Sequence, residues 1–314
     1  MRQKKGMFLM PRRFSLKARL LSLLLSAAMV LMFLPASAFA ADEEQVRVGD
    51  TWLGSATRSV PCGEGTAAYD PDTKTLTLTN ATINHDYNAA IWNTVEGLTI
   101  ELVGENSINS GEQTGILSQE GCGLLTLTGE GSLNITVTGG NAIFVNKGSL
   151  LIKDTTVTVS SGASDACAVT ADYGIEISGS TLESAIANGN AIFARGDLKI
   201  ENSNVTTNSA GNFPAIWSDS DITINGGQLK STCTGSDALG AAGTLSITNC
   251  NVENKGASAL YSQGEMTLTG GSITAEAEYN AIISNSAMTI TNATVKATAQ
   301  KYNALRASDV MKID

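Results

Sequence analysis

An Ala or Gly followed by an aliphatic residue recurs along this chain, at Ala90-Ile91, Gly115-Ile116, Ala142-Ile143, Ala168-Val169, Ala191-Ile192, Ala215-Ile216, Ala238-Leu239, Ala259-Leu260, Ala281-Ile282 and Ala304-Leu305. The period is about 24 residues, too short for one unit to bury its own apolar face, so neighbouring units must stack to share a core. From Val169 onward an alternating pair follows six residues after the aliphatic: Ile175/Ile177, Leu198/Ile200, Ile222/Ile224, Leu245/Ile247, Met266/Leu268, Met288/Ile290 and Met311/Ile313. Alternation of this kind specifies a strand with one buried face. A further aliphatic lies seven residues beyond the start of each pair but the last, at Leu182, Val205, Leu229, Val252, Ile273 and Val295. Every repeat therefore offers three short strands.

Between the second and third strands one position reads Asp154, Gly179, Asn202, Gly226, Asn249, Gly270 and Asn292 in successive repeats. Gly and Asn tolerate left-handed backbone angles. A left-handed corner at constant spacing bends the chain the same way each time and coils it upon itself. No segment carries an apolar stripe at i, i+3, i+4, and Gly, Thr, Ser and Asn fill the gaps, which excludes helix. Leucine-rich repeats share the period but need an L-x-x-L-x-L consensus that is missing here. Coils stacked ~4.8 Å apart make ten repeats a rod on the order of 48 Å long.

Ahead of the repeats, all seven basic residues between Arg2 and Arg19 precede the apolar run Leu20 to Leu34, which ends at Ala38-Phe39-Ala40. This is the pattern of a secretory signal peptide over residues 1–40, cleaved near Ala40, and the run is shorter than the roughly 20 residues that span a bilayer. The mature chain is expected to be secreted or displayed on the cell surface, with no membrane span. It keeps 13 basic against 30 acidic residues, a net charge of −17 that repels nucleic acid and anionic lipid. Cys62, Cys122, Cys167, Cys233 and Cys250 are odd in number, without a C-x-x-C, so they are expected to be small apolar fillers, with one stacked pair left open. Residues 41–73 hold Trp52, Cys62 and Tyr69 and are expected to form an irregular cap over the first coil. Leu76-Thr77-Leu78 and Ile83, with Asn80 near the corner, make a partial first coil.

The blocks Tyr69-Asp70-Pro71-Asp72-Thr73-Lys74-Thr75-Leu76-Thr77-Leu78 and Asn80-Ala81-Thr82-Ile83, with the recurring Asn-Ala-Ile and Gly-x-Leu-x-Ile segments, resemble the pectate-lyase-like right-handed β-helix superfamily. Within it the chain is similar to non-catalytic, polysaccharide-binding domains of exported proteins from anaerobic Gram-positive bacteria, over residues 69–314. The expected fold is all-β: a right-handed, single-stranded parallel β-helix over residues 74–314, with about ten coils of three short strands, an N-terminal cap and an open C-terminal end. The resemblance implies a carbohydrate-binding or adhesive module for a plant or host polysaccharide. A structural stalk within a larger surface protein is the first alternative, and a polysaccharide lyase or glycoside hydrolase acting on a pectin-like substrate is the second.

The residue inventory weighs against the enzyme. His85 is the only His and is expected in a loop before the first full coil, which leaves no His-based chemistry on the repeats. Asp219 and Asp221 have a spacing that could serve a glycosidase, but Ser218-Asp219-Ser220-Asp221 also reads as an ordinary turn. No catalytic residue and no metal ligand is assigned. Calcium is the one cofactor the resemblance allows, and Asp165 and Asp237 supply one acidic oxygen per coil where calcium takes six to eight, so capping turn amides is their expected role.

The position just after the repeated aliphatic is more informative: Trp92, Leu117, Phe144, Thr170, Phe193, Trp217, Gly240, Tyr261, Ile283 and Arg306. Strand alternation turns it outward, and Trp92, Phe144, Phe193, Trp217 and Tyr261 are therefore the candidate glycan-binding residues. Flanking loops that cover this column would remove that role. Paired Thr at Thr126/Thr128, Thr267/Thr269 and Thr289/Thr291 form a second outward column, interrupted by Lys153, Glu176, Lys199 and Glu201, and read as a soluble strand face. The tenth repeat stops after Met311/Ile313, so either a longer parent protein or end-to-end association with another chain is expected to cover the exposed edge.

Overall fold

The computed structural model describes residues 45–314, so the signal-peptide reading and its cleavage near Ala40 lie outside the described residues. Among the described residues there are only strands and turns, with no helix. Each coil carries three strands, as in Ile91–Asn93, Thr99–Val103 and Glu105–Ser110. Successive coils pair parallel and in register on all three strands. The first-strand stack runs through Ile91↔Ile116↔Ile143↔Val169↔Ile192↔Ile216 and on to Leu305. The chain is thus a parallel β-solenoid of about ten turns, its strands gathered into a 20-stranded and a 13-stranded sheet.

The alternation read from sequence decides which side chains fill the interior. Ile175, Ile177, Leu198, Ile200, Ile222 and Ile224 are all at most 2% exposed, and one continuous core runs from Val46 to Ile290. Each such side chain contributes roughly 1.5–3 kcal/mol relative to leaving it in water. Within the last coil Leu305 is half-buried, while Met311 and Ile313 are exposed.

The corner is left-handed in ten consecutive coils. Asn80, Gly104, Gly129, Asp154, Gly179, Asn202, Gly226, Asn249, Gly270 and Asn292 all have positive φ. Asn or Asp mostly alternates with Gly for a steric reason. The Asn202 Oδ1 lies 2.5 Å from where a Cβ on Gly226 would sit, and the Gly104, Gly179 and Gly270 corners meet Asn80, Asp154 and Asn249 in the same way. The side chain of one corner covers the bare corner of the next.

Three expectations change on the structure. Residues 45–73 are not irregular: Val46–Val48 and Thr51–Leu53 form a hairpin laid antiparallel on Ile91–Asn93, and Ser59–Cys62 and Gly65–Asp70 add antiparallel to Thr75–Thr79. Their alternation spans only three to six residues, too little to stand out beside the long repeat. His85 is not in a loop; it ends the strand Thr82–His85, points inward and is 8% exposed, opposite Ser110 of the next coil. Finally, two coils lack a break between third and first strands, giving the long strands Thr156–Ala171 and Thr181–Ala194. Small residues there, such as Gly162, Ala163, Ala166 and Gly189, let the chain round that edge while still extended, with register shifts between Ser161 and Ala166.

Polar side chains also enter the core, several of them bonded to backbone groups, while the inward Nε2 of His85 has no hydrogen-bond partner. Asn93 donates to the Val95 carbonyl and the Ser118 hydroxyl at 3.1 and 2.9 Å, and Ser218 donates to the Gly196 carbonyl at 2.8 Å. On the third strand Ser184 and Ser231 each donate to the carbonyl of the residue seven ahead, Ala191 and Ala238, at 2.7 Å. These bonds satisfy backbone groups where the chain turns between strands.

Candidate functional site

The register brings the outward column together as one ladder: Trp92↔Leu117↔Phe144↔Thr170↔Phe193↔Trp217↔Gly240↔Tyr261↔Ile283↔Arg306. Trp92, Phe144, Phe193, Trp217 and Tyr261 are each half-buried, between a buried aliphatic before them and a buried Asn, Ser, Ala or Val after them. Thr170 and Ile283 are buried and interrupt the ladder.

Its centre is Trp217 and Tyr261, two coils apart with Gly240 between them. Their rings lie 6.0 Å apart and nearly parallel, at 19°. Gly240 permits this approach, because a Cβ there would lie 2.6 Å from the Trp217 ring. Both rings are held by their polar ends: the Trp217 indole N–H donates to Asp219 at 2.8 Å, and the Asn285 amide donates to the Tyr261 hydroxyl at 3.1 Å. Two aromatic rings fixed in orientation lose little freedom when a ligand docks on them.

Trp92 lies in a different setting. The cap hairpin places Arg47 and Trp52 beside it in register, with the guanidinium carbon 4.9 Å from the Trp92 ring centre and 5.8 Å from that of Trp52. The two indoles are 6.1 Å apart, and the Trp92 ring nitrogen is buried. The cap thus extends the ladder by a cation and another aromatic, which the sequence reading missed because Arg47 and Trp52 stand outside the repeat.

The acidic candidates take part in turns. Asp221 Oδ1 accepts the Thr244 backbone N–H at 2.7 Å, and Asp197 accepts the Ser220 hydroxyl at 2.7 Å. Asp237 accepts the Ser258 backbone N–H at 3.0 Å, and burial holds its carboxyl above the usual carboxylate value. The side chain of Asp165 lies outside the described ones. Among the described residues no group of three or more His, Cys, Asp or Glu is placed to hold a metal ion. All five cysteines are free thiols, four of them buried, and burial pushes Cys167 and Cys250 up to about 11.

A second set of aromatics lies on the corner leading into the first strand. Tyr87, Phe213, Tyr279 and Tyr302 are 38–75% exposed there, and Tyr279 and Tyr302 are 5.7 Å apart at 27°. The signal that could have found the three tyrosines is Tyr-Asn-Ala, which recurs at Tyr87-Asn88-Ala89, Tyr279-Asn280-Ala281 and Tyr302-Asn303-Ala304, whereas Phe213 stands in Phe213-Pro214-Ala215.

Comparison with protein-family models, with curated proteins and with solved structures gives no match. The β-solenoid accords with a β-helix superfamily, and the functional reading rests on the side chains themselves.

Proposed function

We propose that this chain is a non-catalytic carbohydrate-binding or adhesive module of the cell exterior, taking a plant or host polysaccharide along the outward aromatic ladder. The observation that carries the reading is the Trp217 and Tyr261 pair, half-exposed, nearly parallel and held by Asp219 and Asn285, with Phe193 in register beside Trp217. Sugar rings present apolar C–H faces that stack on such side chains, while Asp219 and Asn285 lie alongside to meet hydroxyl groups. A linear ligand running along the rod meets one coil every ~4.8 Å, a spacing suited to an extended chain molecule.

Affinity electrophoresis against a panel of neutral and acidic polysaccharides, with and without calcium, tests the reading. Retardation by at least one glycan is expected, and Trp217→Ala should weaken it by roughly 0.5–1.5 kcal/mol with unchanged far-UV circular dichroism. No retardation on any glycan favours the stalk, and release of unsaturated uronates would establish a lyase.

A further inference from the structure

We infer that the carboxylates bordering the Trp217 and Tyr261 pair make it a site for sugar units that are uncharged or carry an ammonium group, and that Asp219 turns away units bearing a carboxylate or sulfate. The inference deepens the carbohydrate-binding reading and rests on it for the class of ligand.

The aromatic ladder has a companion column two residues further along each coil, where Gln119, Asn146, Arg195, Asp219, Gln263 and Asn285 stand at the exit of the first strand, none of them buried. Backbone N–H groups of this column bond carbonyls of the preceding coil, from Gln119 to Asn93 at 3.1 Å, from Asp219 to Ala194 at 2.9 Å and from Asn285 to Ser262 at 2.9 Å. The column therefore keeps register with the ladder. A sugar ring lying flat on the aromatic rings turns its rim of hydroxyl groups toward it.

Beside Trp217 that rim meets negative charge. Asp219 is exposed and accepts the indole N–H at 2.8 Å, Asp197 of the preceding coil accepts the Ser220 hydroxyl at 2.7 Å, and Asp221 accepts the Thr244 backbone N–H at 2.7 Å. The basic residue one coil before Asp219, Arg195, is paired with Asp172 at 3.1 Å, and Lys199 and Lys230 belong to second and third strands, on other faces. Beside Tyr261, the Asn285 amide spends a donor on the tyrosine hydroxyl and keeps its oxygen as an acceptor. The carboxylates make no site by themselves; the ring pair they border is the platform. What they add is a set of acceptors. A neutral sugar brings hydroxyl donors to these oxygens, and an ammonium brings more. A sugar carboxylate brings no donor and a like charge. One like charge about 6 Å away in water lowers an affinity roughly threefold.

The test uses the mature chain, isothermal titration, EDTA, and three β-1,4-linked glucose hexamers: one uncharged, one with an amine at C2 and one with a carboxylate at C6. The uncharged and amine hexamers are expected to bind roughly tenfold more tightly than the carboxylate hexamer at low salt. The readout for Asp219 is the ratio of uncharged to carboxylate affinity. Asp219→Asn keeps an oxygen for the indole N–H but removes the charge, and should shrink that ratio roughly threefold, less at high salt. Asp197→Asn, which does not hold the indole, should shift the ratio in the same direction. Glu183→Gln removes the same unit of charge from the third-strand face and should leave the ratio where it was, separating a local effect from the acidity of the whole chain. The inference is overturned if the carboxylate hexamer binds as tightly as the uncharged one, if both Asp variants leave the ratio unmoved, or if Glu183→Gln moves it as far. No binding of any hexamer overturns it too, and retardation on another polysaccharide would then leave the broader reading standing. Trp217→Ala distinguishes the remaining cases. If it weakens all three hexamers while the Asp variants leave the ratio unmoved, the ladder stands and the charge selection falls. If the Asp variants move the ratio and Trp217→Ala changes no affinity, the charge selection stands and the ladder falls.

Discussion

At the scale of single residues, the corner shows how one side chain fixes the choice at the next coil. Gly226 has φ of 72° and lies under the Asn202 amide, so Gly226→Ala meets both a left-handed penalty of roughly 1–2 kcal/mol and a clash with Asn202. The same Ala is expected to cost less in an Asn202→Gly background, and a double-mutant cycle by urea unfolding measures the coupling. Strict additivity would mean that the two corners do not touch. Asp237 gives a second residue-scale prediction. Burial raises its carboxyl pKa, so the ionised form carries a stability penalty above that pKa which disappears once the group is protonated. Asp237→Asn keeps an acceptor for the Ser258 N–H and should raise the melting temperature at neutral pH. The gain should close as the pH falls below about 3.9, where folded and unfolded forms are both protonated. A gap that persists in acid would assign the effect to packing instead.

At the scale of elements, what the sequence made legible follows from what repeats. The three strands of a coil, the left-handed corner and the register of the aromatic ladder all recur with a fixed spacing, so Ile91, Ile116 and Ile143 could be aligned before any coordinate was known, and the structure pairs them. Features that do not recur were opaque. The cap hairpin that brings Arg47 and Trp52 onto Trp92 has no counterpart elsewhere in the chain, and His85 sits where later coils carry Ser110, Val137 and Ser161. The Trp217 and Tyr261 pair was half legible: the column was visible, but two rings closing over Gly240 depend on an approach between second-neighbour coils that one-coil spacing does not reveal. The buried serines belong to the same class. Ser231 looks like any strand Ser until its bond to the Ala238 carbonyl is seen, and removing such a hydroxyl leaves a buried acceptor unmet at roughly 1–3 kcal/mol.

At the scale of the whole molecule, each coil touches chiefly the coil before and the coil after, through the same three parallel pairings. Stability in such a stack is close to a sum of coil and interface contributions, so whole coils should be removable where fractions of a coil are not. Ion pairs between neighbouring coils, Lys230 with Glu253 and Lys255 with Glu276, are exposed and add little to this sum. Deleting residues 203–249 removes two complete coils and sets the Asn202 corner directly beside the Gly270 corner, preserving the alternation of a side-chain corner over a bare one. Far-UV circular dichroism of that shortened chain is expected to remain that of a β protein, and its denaturant slope should fall roughly in proportion to the residues lost. Phe193 would then lie in register with Tyr261, with Trp217 and Gly240 gone, so the shortened rod should fold yet bind neutral glycan less well. A shortened chain that fails to fold would show that the coils are not interchangeable. One that folds and binds neutral glycan as tightly as the parent would remove Trp217 from the site.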